Sequence, residues 1–118
     1  GDLHHAHLAR VELAHGAVRQ QRQRLHGRLH GGASVVLAET IGSIAANLTL
    51  DRSQSLAVGL EINANHLRPV TKGFVHAEAK AEALGRTTQV WTIRITDDEN
   101  NLVCLSRMTA AIISKQRM

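Results

Sequence analysis

A single carboxylate set inside an apolar helical run constrains this chain more than any other feature. From Ala33 to Leu48, the residues Val35, Val36, Leu37, Ile41, Ile44, Ala45 and Leu48 place apolar groups on nearly every helical face, with Glu39 among them. Such a helix is expected to be buried on all sides. Gly32 and Ser34 suit its start, and Asp51-Arg52-Ser53 suits its end. A buried carboxylate without a partner is costly. Glu39 is therefore either paired with a strand arginine such as Arg94 or Arg107, or it is kept for chemistry.

After this helix the pattern changes to period 2. Leu56, Val58, Leu60, Ile62 and Ala64 alternate with polar or small residues, Pro69 breaks the run, and Lys72-Gly73 turns it. Val75, Ala77, Ala79, Ala81 and Ala83 then share one face of a strand, opposite His76, Glu78, Lys80 and Glu82. So many small residues on one face imply a bulky neighbour, and a buried helix fits. Leu84-Gly85-Arg86 is the next turn. A strand over 88–96 follows, and the polar turn Asp97–Asn101 leads to a returning strand over 102–113. One buried helix followed by about four long antiparallel strands gives an α+β fold, with a sheet wrapped around a central helix. Trp91, Met108 and Cys104 are expected in its core.

At 118 residues the chain is one small domain, and association with further copies is expected because a domain this size leaves much apolar surface uncovered. No window reaches about 18 uninterrupted apolar residues, so no membrane span is expected. Gly1-Asp2-Leu3-His4-His5 has no basic segment ahead of an apolar stretch, so no secretory leader is expected either. Cys104 is the only cysteine, which fits a reducing cytoplasmic setting.

The net charge of +4 points to nucleic acid until it is divided by region. Residues 1–28 hold Arg10, Arg19, Arg22, Arg24 and Arg28 against Asp2 and Glu12, whereas the remainder is nearly balanced. With only Phe74 and Trp91 as aromatics, the chain has almost nothing on which to stack bases, and no nucleic-acid partner is expected. Residues 1–28 carry the tract Arg19-Gln20-Gln21-Arg22-Gln23-Arg24 and no clean apolar period. They read as an atypical basic segment, either a solvated arm or a poorly packed edge.

Three blocks in order resemble a known family. His30-Gly31-Gly32-Ala33-Ser34-Val35-Val36-Leu37-Ala38-Glu39, then Gly59-Leu60-Glu61-Ile62-Asn63-Ala64-Asn65-His66, then Leu84-Gly85-Arg86 with Gln89-Val90-Trp91, look like the hotdog-fold acyl-CoA thioesterases. The nearest branch is that of 1,4-dihydroxy-2-naphthoyl-CoA hydrolase and the enterobactin-pathway proofreading thioesterase. The resemblance runs from about Leu29 to Ile113 and assigns residues 29–118 to a hotdog domain. It implies edge-to-edge homodimers, commonly paired into homotetramers, with a metal-free and cofactor-free site at the dimer interface. The substrate would be an acyl-CoA, aromatic in this branch, hydrolysed to free acid and CoA. Alternatives on the same fold are an acyl-CoA-binding protein without hydrolysis and a dehydratase.

Geometry supports a shared site. Gly31 and Glu39 are eight residues apart, or about 12 Å along a helix. One reacting carbonyl needs its oxyanion donor and its attacking group each within about 3 Å. If both residues act on one thioester, they come from different copies. A helix N-terminus offers free N–H groups and a positive dipole end, and the resemblance makes Gly31 the oxyanion donor with His30 beside it. Glu39 would be the nucleophile or the general base. Ser43, four residues on, shares the face of Glu39 and can hydrogen-bond a carboxylate or a water. His66 resembles the family's histidine near the acyl pocket. Arg86 and Arg68, with Lys72, lie at turns suited to CoA phosphates, and the resemblance adds Gly59 of the second block to the residues that receive CoA.

The resemblance fails upstream. Family members carry Gln-Pro-Phe-Gly ahead of the Leu-His-Gly-Gly block, whereas this chain has Arg24-Leu25-His26-Gly27, where only the glycine agrees. The absent glutamine helps to position the thioester and the water in that family. Residues 1–28 as a whole read as a stretch shifted out of frame. Leu25-His26-Gly27 also echoes Leu29-His30-Gly31, and the family's spacing to Glu39 selects His30.

Overall fold

The structure, a computed structural model, describes residues 11–14, 17–24, 31–70 and 73–117. Two short strands, β1 (Val11–Ala14) and β2 (Ala17–Arg24), precede helix α1 (Gly31–Leu48). Four long strands follow: β3 (Ser55–His66), β4 (Phe74–Leu84), β5 (Thr88–Thr96) and β6 (Leu102–Ser114). All pair antiparallel in one sheet of order β1-β2-β4-β5-β6-β3. The expected α+β architecture, one helix against an antiparallel sheet, is the one observed.

Alternation dictates which sheet face meets the helix. Val75, Ala77 and Ala79 of β4, Gln89, Trp91, Ile93 and Ile95 of β5, and Cys104, Ser106, Met108 and Ala110 of β6 are all buried. They pack with Leu37, Ala38, Ile41, Ala45 and Ala46 of α1 in one core. Ala77 and Ala79 of β4 let α1 approach, as their pattern implied, whereas the register slips between Ala81 and Ala83 and leaves Ala83 exposed. Each fully buried large side chain here, such as Trp91, Ile41 and Ile93, contributes about 1.5–3 kcal/mol relative to exposure.

The helix is not covered on all sides, contrary to the sequence reading. Its buried residues form a stripe at Ser34, Leu37, Ala38, Ile41, Ala45 and Ala46, the spacing of a one-sided amphipathic helix. Val36 and Leu48 stay 47% and 52% exposed, and Glu39 and Thr40 share that open side. The physical reason is that the sheet covers one flank of α1 only, so within one chain the rest of the apolar surface is left to solvent.

Of the two readings of the Arg/Gln tract, a solvated arm or a sheet edge, the structure has the edge. Ala17–Arg24 runs as β2 beside β4, with Val18 opposite Ala79 and Arg19 opposite Glu78. The edge of β4 presents backbone groups that need partners whatever side chains the partner strand carries. The hairpin β1–β2 thus forms one sheet edge, and β3 forms the other.

Two polar clasps fix α1 to the sheet. Asn47 Oδ1 accepts the Ala57 N–H at 2.9 Å, while its Nδ2 donates to the Ser43 carbonyl at 2.9 Å. Under the last turn, Trp91 Nε1 donates to Gln89 Oε1, and Gln89 Nε2 donates to Thr49 Oγ1, each at 2.9 Å. Thr49 Oγ1 in turn donates to the Ala46 carbonyl at 2.7 Å.

Candidate active site at the free edge of the sheet

Glu39 projects from the uncovered side of α1 beside β3. It borders a cavity of about 120 Å³ lined by Gly59, Leu60, Glu61, Ile62 and Met108. The register explains this set. Gly59 faces Ala110 and Ile62 faces Met108, so both lie on the helix-facing side of β3. Between them the pairing slips, since Gly59 pairs Ala110 and Glu61 pairs Thr109, which leaves Leu60 as the extra residue of a bulge. Bulges bend a strand and re-aim its side chains, and they recur beside active sites.

The ion-pair reading of Glu39 does not hold. Arg94 lies opposite Leu105, and Arg107 lies opposite Asn63 and Thr92. All of these occupy the sheet face away from α1, so the sheet separates both arginines from the helix. Among the described residues no ion pair engages Glu39. Its carboxylate is exposed and free to act on something outside the chain.

Gly31 is the first residue of α1, where a backbone N–H has no intrahelical acceptor. His30 and Lys72 lie outside the described residues. Ser43 is half-buried and lines a second cavity, of about 230 Å³, with Ile44, Asn47, Leu48 and Arg52. Within one chain, Ser43 and Glu39 thus border different cavities although they are one helical turn apart. His66 ends β3 opposite Cys104, on the helix-facing side but exposed, and it lines neither cavity.

Arg68 follows β3 and is exposed, and Arg86 is exposed in the β4–β5 turn. The charge of Arg68 reaches Asp97, whose carboxyl is held below its usual value first by the backbone hydrogen bond from Asn101 and last by Arg68. Cys104 is fully buried, and burial pushes its thiol up, against a hydrogen bond with Ser106 that lowers it. It has the character of a core residue, as expected. Among the described residues, no three His, Cys, Asp or Glu side chains are grouped to hold a metal ion, and no helix is long and apolar enough to cross a membrane.

Sequence reasoning missed Asn47 and Arg52, neither of which belongs to any of the three blocks. Asn47 lies eight residues after Glu39, so the two are on neighbouring helical faces. That spacing was the one available signal.

Comparison with known proteins places this geometry in context. The family profile described as "Thioesterase superfamily" matches residues 26–104. A 1,4-dihydroxy-2-naphthoyl-CoA hydrolase of Escherichia coli (strain K12) is 53% identical over 87 residues, which cover 74% of this chain and 63% of that protein. A protein of the same name from Listeria monocytogenes (serotype 1/2a, strain 10403S) is 48% identical over 91 residues, 77% of this chain and 73% of that one. A crystallised thioesterase of Pseudomonas aeruginosa, in a glutamine-to-alanine variant, superposes with a TM-score of 0.84 at 44% identity, over 89% of this chain and 81% of that chain. Against several of its curated relatives, the chain spans about 60% of their length.

Proposed function

The chain belongs to the thioesterase superfamily of hotdog fold, and from that premise we propose that it hydrolyses the thioester of an aromatic acyl-CoA, of the 1,4-dihydroxy-2-naphthoyl type, to free acid and CoA. The observation that carries this reading is Glu39: a carboxylate without an ion-pair partner among the described residues, on the open side of α1, bordering a cavity with Gly59, Leu60, Glu61, Ile62 and Met108. Leu60, Ile62 and Met108 give that lining an apolar part against which an acyl group can rest. Relatives at 53% and 48% identity are named for a naphthoyl-CoA substrate, which supports the same class.

One chain supplies only part of such a site. About 120 Å³ is small beside the several hundred Å³ of a typical ligand pocket. Gly31 also lies about 12 Å along α1 from Glu39. The remainder comes from a second copy joined along β3, a sheet edge that leaves Val58 and Leu60 exposed. The partner's helix start then offers the Gly31 N–H to the developing oxyanion, with His30 orienting the thioester. Glu39 attacks the carbonyl or takes a proton from the attacking water. Ser43 and His66 hold the water or the acyl group near it, and Gly59, Arg68 and Arg86 receive the CoA portion. Two dimers form the homotetramer. Residues 29–118 carry the catalytic part of the domain, and residues 1–28 are an atypical basic segment whose strands β1 and β2 extend the same sheet. The enzyme works in the cytoplasm on a diffusible substrate, without metal or cofactor and without nucleic-acid or membrane partners.

The test is release of free CoA thiol from benzoyl-CoA and from 1,4-dihydroxy-2-naphthoyl-CoA. Glu39→Gln should lower kcat by about 10²–10⁴-fold while substrate binding persists. Hydrolysis untouched by that substitution, or binding of both thioesters with no thiol released by the wild type, would sink the proposal.

A further inference from the structure

Two cavities border the open side of α1, and their linings carry opposite charge. Glu39 and Glu61 border the smaller one, which has no cation among its described lining residues. The larger, of about 230 Å³, is lined by Ser43, Ile44, Asn47, Leu48 and Arg52, a cation with no acid beside it. Two carboxylates repel an anionic group from the first cavity, and a guanidinium attracts it to the second.

The polar groups of the larger cavity divide into those already engaged and those left open. Asn47 is engaged: its Oδ1 accepts the Ala57 N–H at 2.9 Å, and its Nδ2 donates to the Ser43 carbonyl at 2.9 Å. Its amide therefore builds the wall. The Ser43 hydroxyl and the Arg52 guanidinium have no hydrogen bond or ion pair among the described residues. Arg52 follows an acid in the chain, yet that acid is turned to other partners. Asp51 Oδ1 accepts the Ser53 hydroxyl at 2.6 Å and the Ser53 N–H at 3.0 Å. These bonds, the hydroxyl first, hold the Asp51 carboxyl below its ordinary value, and the cation that adds to them is Lys115. The turn after α1 thus leaves the Arg52 charge to the cavity, where Ile44 and Leu48 supply the apolar part of the lining.

Position indicates what enters. Glu39, Ser43 and Asn47 follow one another at four-residue spacing along α1. The larger cavity therefore begins one helical turn, about 6 Å, beyond Glu39. One aromatic ring with its substituent spans that gap. A substrate with its carbonyl at Glu39 and its ring running toward the C-terminal end of α1 brings the far substituent of the ring to Ser43 and Arg52.

We infer that Arg52 is a specificity-determining residue for the acyl group: the larger cavity receives the far end of an aromatic acyl group that bears an anionic substituent, a second carboxylate, with the Ser43 hydroxyl as a further donor. This rests on the thioesterase reading and adds to it the substituent that the ring carries. A guanidinium meets a carboxylate with two parallel N–H donors, a stronger contact than a neutral hydrogen bond. Arg52 is exposed and Leu48 is 52% exposed, so this end of the cavity opens to solvent, and screening keeps the effect moderate.

The experiment uses the full chain as wild type, Arg52→Gln and Arg52→Lys, with fold checked by circular dichroism. The substrates are 4-carboxybenzoyl-CoA and benzoyl-CoA, which share CoA and ring and differ only in the distal carboxylate. The readout is the ratio of kcat/KM for the first to that for the second. Arg52→Gln should lower this ratio at least about ten-fold, through KM more than through kcat. Arg52→Lys keeps the charge without the paired donors and should lower it by less. If Arg52→Gln fails to fold, the Arg52→Lys ratio decides. An unchanged ratio overturns the inference, and a parallel fall for both substrates does so as well, since the guanidinium then meets a phosphate of CoA. Affinities for two non-hydrolysable thioethers, 4-carboxybenzyl-CoA and benzyl-CoA, separate this from failure of the catalytic reading. The wild type should bind the carboxylated thioether more tightly and Arg52→Gln should lose that preference, even if Glu39→Gln leaves turnover intact. Equal affinities in the wild type overturn the inference.

Discussion

The side-chain carbonyl of Asn47 accepts the Ala57 N–H at 2.9 Å, so the helix that carries Glu39 is clasped to the strand that carries Gly59. The same amide donates to the Ser43 carbonyl at 2.9 Å and reaches the Ala57 carbonyl at 3.4 Å. Asn47→Ala leaves the strand N–H and C=O without their side-chain partner, at a cost of about 1–3 kcal/mol. For a domain near this size, each kcal/mol lowers Tm by about 4–8 °C. Asn47→Asp keeps an acceptor for Ala57 while losing both donated bonds, so its Tm should fall between the two. Thermal unfolding checks this order, and equal Tm for wild type and Asn47→Ala would remove the clasp from the account.

Gln89 is polar yet 3% exposed, because both ends of its amide are used inside the sheet. It accepts from Trp91 Nε1 and donates to Thr49 Oγ1. Gln89→Leu fills similar volume but strands the buried indole N–H, which should cost about 1–3 kcal/mol. Trp91 is the only tryptophan and is fully buried, so its emission reports unfolding directly. The urea midpoint followed by that emission should fall in Gln89→Leu with the slope unchanged. A midpoint equal to that of the wild type would show that the chain of bonds contributes nothing net.

Asp97 ties off the β5–β6 turn. It accepts the N–H of Glu99 at 3.0 Å and that of Asn101 at 2.8 Å, and these bonds, that from Asn101 first, hold its carboxyl below the ordinary 3.8. A carboxyl depressed in the folded state adds stability above its unfolded pKa and loses it as pH falls through the folded one. The benefit should therefore be complete at neutral pH and begin to fade as pH falls below about 3.8. Asp97→Asn should lower Tm at pH 7, and its deficit should shrink as pH falls below about 3.8. A deficit that persists undiminished in acid would assign the effect to turn geometry instead of charge.

Much of this architecture was legible because periodicity records which face is covered. The α1 span and the four long strands followed from periods of 3.6 and 2, and Trp91, Met108 and Cys104 are buried as their residue types led one to expect. The helix was misjudged because an apolar residue does not reveal what covers it. Val36 and Leu48 look like core residues, but the sheet reaches only the other flank. Strand β2 was hidden because an edge pairs through backbone, on which the Arg/Gln tract gives no information. The bulge at Leu60 was hidden because a strict alternation through 56–64 places Leu60 with Val58 and Ile62, whereas the slip leaves it unpaired beside Glu39. The Ser43–Glu39 relation shows the same limit. A four-residue spacing gives a shared helical face, but the contents of each cavity depend on where β3 runs.

Gly42 tests how closely the packing of α1 and the Glu39 cavity are coupled. A Cβ there would lie 3.0 Å from Met108 Sδ, 3.1 Å from Met108 Cε and 3.4 Å from Ile93 Cδ1, and Met108 also borders the cavity of Glu39. Gly42→Ala gains about 1 kcal/mol of helix propensity. Against this stands the displacement of a thioether, which is flexible and yields at modest cost. Stability should therefore change by less than about 1 kcal/mol, while the Met108 tip moves and alters the cavity. The expected signature is a raised KM for benzoyl-CoA at nearly constant Tm. Gly42→Val cannot be accommodated by the thioether alone and should lose about 1–3 kcal/mol. Shortening the neighbour relieves the clash, so Gly42→Ala combined with Met108→Ala should show a coupling of at least about 0.5 kcal/mol in a double-mutant cycle. Strict additivity of the two substitutions, in both Tm and KM, would mean that the helix can shift away from β6 and that Met108 does not transmit packing to the cavity.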